Sequence, residues 1–216
     1  LMDTKGAEIR TTTNVDDQPI TFSPGDKVTF IGNPEGATCH DTIFLSYANI
    51  ASDVRPGVHF LIDDGEIDFI IDSIDGYTLH ATALNGGVLG SRKSVNVPGT
   101  NIALPSLTER DRTNIGYAMD LGIDFIAHSF VRSARDVLDI QEILDANNSP
   151  IKIISKIENQ EGIDNFDEIL DVSYGIMIAR GDLGIEVPAE RIPGIQHTLI
   201  NKCILRHLSL IHISEP

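Results

Sequence analysis

The sequence predicts an α/β chain interrupted by an all-β block, and three observations carry that prediction. From about Ala7 to Gly99, short alternating runs are separated by Gly- and Asp-rich turns. From about Leu104 onward, helical and strand patterns alternate. Leu1-Met2-Asp3-Thr4 reads as the end of a further strand, which makes the β block an insertion between that strand and the first helix.

In the β block, Lys27-Val28-Thr29-Phe30-Ile31 and Asp68-Phe69-Ile70-Ile71 have strand character. Asp63-Asp64-Gly65, Asp75-Gly76 and Asn85-Gly86-Gly87 supply the turns, so a small barrel or sandwich is expected. Beyond Leu104, Thr108 and Asp111 have capping-box spacing ahead of an Ile115, Ala118, Met119 stripe, and Gly122 is the stop. Asp124 to Val131 reads as a buried strand. Ser133 and Asp136 repeat the capping pattern before Val137, Ile140 and Leu144. Ile151 to Glu158 is the next strand, Ile163, Phe166 and Leu170 mark a helix, and Ile176 to Ala179 a further strand. Alternation of this kind implies right-handed βαβ units and a parallel sheet. A barrel and an open doubly wound sheet both satisfy it.

Composition narrows the function. The 216 residues carry 32 acidic and 16 basic side chains, a net charge of -16, which disfavours nucleic acid and anionic membrane as partners. Hydrophobic content of 41% supports a packed core. Cys39 and Cys203 stand far apart and read as free thiols of a reducing compartment, so a cytoplasmic location is expected. No apolar run approaches the ~20 residues that span a bilayer. Cys39-His40-Asp41 matches no zinc spacing and reads as a loop.

Two strand ends carry the candidate chemistry. In Ile151 to Asn159, parity puts Ile154, Lys156 and Glu158 on one face, and Ile153, Ser155 and Ile157 on the other. A Lys and a Glu at the C-terminal end of a parallel strand stand where α/β folds build active sites. In Ile176 to Gly184, Asp182 follows a second strand between glycines that let the backbone approach a ligand. Glu158 and Asp182 could share one hard divalent cation. The plainer alternatives are a strand-end salt bridge and a strand-to-helix turn capped by Asp182.

Five ordered segments then carry a resemblance. Asp3-Thr4-Lys5-Gly6 with Glu8-Ile9-Arg10 resembles the DTKGPEIR signature of pyruvate kinases, and Lys93 before Val95-Asn96-Val97-Pro98-Gly99 is similar to that family's return from its inserted domain. Phe125 to Arg132, Ile154 to Asn159 and Ala179 to Gly184 resemble three further family motifs in the same order. Ala7 stands where the family often has Pro, and His128 where a small residue is frequent; His128 lies off the face of Ser129 and reads as a packing residue.

The resemblance implies a partial (β/α)8 TIM barrel with an inserted small β-barrel lid domain. The expected division is a barrel strand at 1–6, the lid at 7–99, part of the barrel at 100–206 and a non-native tail at 207–216. Leu208 to Pro216 resembles the in-frame translation of a transposase sequencing adaptor. A whole barrel takes about 250 residues, so the chain by itself is expected to be inactive and poorly folded. The implied reaction moves a phosphoryl group from phosphoenolpyruvate to ADP, giving pyruvate and ATP. Lys156 resembles the lysine that bridges the transferred group and stabilises the enolate. Glu158 and Asp182 resemble the ligands of Mg2+ or Mn2+, and Gly181 with Asp182 the substrate carboxylate site. Asp3 and Thr4 resemble K+ ligands, and Arg10 and Lys93 nucleotide contacts. The intact enzyme is expected to be a homotetramer. Two other readings compete: a barrel enzyme acting on metal-bound enolates, such as a pyruvate-utilising aldolase, against which the insert and Lys93 argue, and a non-catalytic nucleotide- or partner-binding fragment.

Overall fold

A computed structural model describes residues 1–6 and 8–213. The chain divides into two compact units, Leu1–Ala7 with Leu104–Pro216, and Glu8–Ala103. It opens with β1 (Met2–Asp3) of the first unit and then enters the second. There the elements are β2 (Ile9–Arg10), β3 (Ile20–Phe22), β4 (Lys27–Gly32), β5 (Thr42–Leu45), the one-turn helix α1 (Ile50–Asp53), β6 (His59–Ile62), β7 (Ile67–Asp75), β8 (Thr78–Ala83), β9 (Gly87–Leu89) and β10 (Ser94–Asn96).

Seven of these strands form one sheet in the order β2-β10-β6-β7-β8-β4-β5, and β3 pairs with β9. The sheet curls until its edges meet. Thr11 bridges Leu45, the Thr12 N–H donates to the Phe44 carbonyl at 2.9 Å, and the Ser46 N–H donates to the Arg10 carbonyl at 2.8 Å. Closure of this kind satisfies the edge groups that an open sheet leaves bare. Inside lie Phe22, Phe30, Phe60 and Phe69, in edge-to-face contacts with centroids 5.0 to 5.3 Å apart. The Asp63-Asp64-Gly65 turn joins β6 to β7 with φ of 54°, 57° and 92°, the left-handed region that Asp tolerates and Gly favours.

The α/β unit continues with α2 (Glu109–Asp120), β11 (Phe125–His128), α3 (Ala134–Ala146), β12 (Lys152–Ile157), α4 (Gln160–Asp164), α5 (Phe166–Val172), β13 (Gly175–Ala179), α6 (Arg180–Glu186), α7 (Ile192–Leu205) and β14 (Ser209–Ile213). All five of its strands pair in parallel, in the order β1-β11-β12-β13-β14. Chain order and spatial order coincide, so this sheet has no point of reversal of the doubly wound kind. Its two faces differ. Ile126, Ile153, Ile157, Ile176 and Ile178 pack with helix residues such as Ile115, Val137, Ile140 and Phe166, whereas Ala127, Ile154 and Met177 form a separate small cluster on the other face. Lys156 shares the parity of Ile154 and therefore belongs to the face without the helix core.

Local chemistry explains the element ends. Thr108 and Asp111 form the expected capping box on α2, and Gly122, at φ 63°, follows it in the left-handed conformation. Four expectations differ. The strand foreseen to Val131 ends at His128, because Phe130 takes φ 54° and turns the chain. Ser133 makes no side-chain cap; Asp136 instead accepts the Arg132 N–H at 2.8 Å. The helix through Ile163 and Leu170 breaks at Asn165, whose amide donates to the Arg132 carbonyl at 2.9 Å. Gly181 and Asp182 lie in the first turn of α6 rather than in a turn before it.

The stretch expected to be non-native falls across the described boundary. Ser209–Ile213 form β14 beside β13, while 214–216 lie outside the described residues, as does Ala7. Pairing at a sheet edge needs only an extended segment with free backbone groups and apolar side chains. Leu208-Ser209-Leu210-Ile211 meets that need whatever its origin.

Candidate active site at the strand ends

Three neighbouring strands deliver the site. β1 runs into Thr4, β11 into Ser129 and Phe130, and β12 into Glu158. The Thr4 N–H continues the β1–β11 ladder by donating to the Ala127 carbonyl at 2.9 Å. Past it, the Ser129 N–H donates to Thr4 Oγ1 at 3.0 Å and the Phe130 N–H donates to Glu158 Oε2 at 2.6 Å. Two successive backbone donors thus tie the left-hand and right-hand neighbours of β11 together, and the left-handed backbone of Phe130 makes this possible. Gly6, at φ 70°, fits beside that turn: a Cβ there would meet the Phe130 ring and the Ser129 carbonyl at 3.1 Å.

Lys156 stands at the centre. Its Nζ lies 2.9 Å from Glu158 Oε1, 3.2 Å from Asp3 Oδ2 and 3.2 Å from Ser129 Oγ. Those three oxygens match the three protons of an ammonium. Burial pulls the Lys156 ammonium down, but the Glu158 and Asp3 carboxylates outweigh it, and the net shift is upward. Glu158 is only 1% exposed. Loss of water pushes its carboxyl up, Lys156 and the Phe130 N–H pull it back, and the charge of Asp182 pushes it up again. The ammonium is thus held charged by two carboxylates, while the Glu158 carboxylate is short of water and faces the charge of Asp182.

That shortage is the observation against which a metal ion is judged. Glu158 and Asp182 offer hard carboxylate oxygens whose mutual repulsion a divalent cation relieves, which fits Mg2+ or Mn2+. Among the described residues, no group of three or more His, Cys, Asp and Glu side chains gathers for a metal. Such an ion would therefore complete its shell from substrate or water, as Mg2+ commonly does. Asp3 and Thr4 also offer hard oxygens. Thr4 Oγ1 already serves the Ser129 N–H and His128 Nδ1, the latter at 3.1 Å; the Thr4 carbonyl, which accepts the Ser129 hydroxyl at 2.6 Å through one of its two lone pairs, and the half-exposed Asp3 carboxylate keep lone pairs suited to a monovalent cation.

The structure brings Asp3, Thr4, Lys156 and Glu158 together, with Asp182 close enough to act on Glu158 electrostatically. Arg10 and Lys93 belong to the other unit, on the paired strands β2 and β10 or beside them, where the Thr11 N–H donates to the Lys93 carbonyl at 2.8 Å. Arg10 is ion-paired with Glu8 at 2.6 Å, and Lys93 with Asp63 at 2.8 Å. His128 is 1% exposed, and its Nε2 has no hydrogen-bond partner. Burial lowers its pKa to about 4. Sequence reasoning missed Ser129 and Phe130 as site residues. Parity held the clue for Ser129, which alternates with His128 onto the Ala127 face; nothing local announces the φ of Phe130.

Comparison with known proteins agrees with the motifs. The family model described as the pyruvate kinase barrel domain matches residues 1–213. Pyruvate kinase 2 of Candida glabrata is 44% identical over 207 residues, which cover 94% of this chain and 41% of that protein. The pyruvate kinase of Geobacillus stearothermophilus is 46% identical over 211 residues, covering 94% and 35%. Among solved structures, a pyruvate kinase from Cryptosporidium parvum superposes with a TM-score of 0.94 at 36% identity, over 99% of this chain and 45% of that one. The chain thus spans roughly two fifths of the length of the relatives it matches. On a match that runs through nearly all of its residues and both of its units, the chain belongs to the pyruvate kinase family.

Proposed function

We propose that this chain carries the central part of an enzyme that transfers the phosphoryl group of phosphoenolpyruvate to ADP, giving pyruvate and ATP. The five parallel strands are then part of a (β/α)8 barrel, and Glu8–Ala103 its inserted lid. The observation that carries this reading is the Lys156 ammonium, held at strand ends by Glu158, Asp3 and Ser129. Phosphoryl transfer spreads negative charge over oxygens, so catalysis consists mainly of fixed positive charge and positioning. Lys156 places such a charge where the bridging oxygen of the substrate becomes an enolate. The phosphate ester lacks that charge, so the ammonium gains more in the transition state than in the ground state.

Glu158 and Asp182 hold Mg2+ or Mn2+, and Asp3 with the Thr4 carbonyl holds K+. When bound, these ions neutralise the oxygens of the transferred group. Gly181 and Asp182 present first-turn N–H groups of α6 to the substrate carboxylate. Arg10 and Lys93 contact the nucleotide phosphates once Glu8 and Asp63 release them. In the complete enzyme, Lys156→Met should lower kcat by about 10²-fold or more in a coupled assay of pyruvate formation. Near-normal turnover would remove Lys156 from the chemistry.

A further inference from the structure

Ser129 is 5% exposed, and four of its contacts cross from β11 to both neighbouring strands. Its hydroxyl has one proton and two lone pairs. The Thr4 carbonyl lies 2.6 Å from Oγ and Asp3 Oδ1 lies 3.2 Å away, so the shorter bond takes the proton. With the proton committed there, a lone pair is left for the Lys156 ammonium at 3.2 Å. The Ser129 N–H, bonded to Thr4 Oγ1, fixes the backbone from which this hydroxyl projects. One neutral group therefore touches both the Asp3 and Thr4 oxygens and the ammonium. The other two anchors of Lys156 are charged, and Asp3 is more than half exposed. A cation drawn to Asp3 weakens its pull on Lys156, whereas the hydroxyl carries no charge to be neutralised.

We infer that Ser129 is a positioning residue that couples occupancy of the monovalent-cation oxygens of Asp3 and Thr4 to the placement of the Lys156 ammonium. The inference rests on the reading of Asp3 and Thr4 given above. Without the hydroxyl, the Thr4 carbonyl loses its proton donor, and Lys156 is left balanced between two carboxylates, one of which the cation also claims. Cation affinity and turnover then change together, although Ser129 itself touches no reacting atom.

The test uses the complete enzyme with Ser129→Ala, Ser129→Cys and Ser129→Thr. Melting temperature is measured in KCl and in tetramethylammonium chloride at equal ionic strength, and the K+ concentration for half-maximal turnover is measured in parallel. For Ser129→Ala, a several-fold higher half-saturating K+, a roughly tenfold lower kcat and a smaller K+-specific melting shift are expected. Melting in tetramethylammonium chloride should stay close to wild type, and Ser129→Thr, which keeps the hydroxyl, should recover the K+ response. If Ser129→Ala fails to fold, Ser129→Cys, of similar size and weak donor strength, is judged by the same criteria. A variant without the hydroxyl that keeps the wild-type K+ shift and half-saturation overturns the inference and leaves the proposed function standing. A wild-type enzyme whose melting and turnover ignore K+ overturns the cation reading itself.

Discussion

At the scale of single residues, a histidine lies buried in neutral form beside the site. His128 faces Thr4 through Nδ1, and Asp136, Asp111 and Arg132 act on it from the helix side. Burial is the largest influence, and it holds the folded pKa at about 4, below an unfolded value of about 6.5. The unfolded chain therefore binds the proton first, and stability is full above pH 6.5 and falls as pH drops toward 4. Across that window the loss should approach about 3 kcal/mol. Urea unfolding of wild type and His128→Ala at pH 7, 6 and 5 measures it: the variant's midpoint should change less with pH. Parallel slopes would place the proton elsewhere. Parity in the sequence already assigned His128 to the face away from Ser129, but burial of its ring depends on helices whose packing no local pattern reveals.

At the scale of elements, the entry to α2 does two things with one side chain. Asp111 accepts the Thr108 N–H through Oδ2 at 3.2 Å and the Lys5 N–H through Oδ1 at 2.9 Å, so it closes the capping box and holds the chain just after β1. The capping box was legible because its residues lie three apart; the second bond was not, because its partner is 106 positions away. Thr108→Ala should cost about 1 kcal/mol. Asp111→Ala should cost more, about 2–3 kcal/mol, since it also strands the Lys5 N–H. Denaturant midpoints at constant slope would show the difference, and equal losses would limit Asp111 to the cap. The failed cap at Ser133 has the same lesson in reverse. Asp136 sits at the correct spacing, but a nearer donor on Arg132 claims it.

At the scale of the whole molecule, the two textures of the sequence correspond to the two compact units, because a period of two and a helical period cannot build the same layer. Within the site, the strand ends bearing Lys156 and Glu158 were readable from alternation. Their meeting with Asp3 was not, because the order of strands in a sheet is a tertiary fact. The Glu8–Ala103 unit has a closed sheet and its own aromatic core. Excised, it should melt in one cooperative transition, and a featureless melt would show that its closure depends on the rest of the chain.

The antiparallel pairing of β2 with β10 inside this sheet also bears on the order of assembly. Lys156 and Asp3 are separated by 153 positions, a long loop for a newly folding chain to close. Most of that loop lies in Glu8–Ala103, where Val95 pairs with Ile9, so folding of the insert brings its own two ends side by side. What remains for β1 to close is then a loop less than half as long. A weakened β2–β10 seam should therefore slow the closure of Asp3 onto the ammonium without altering either residue.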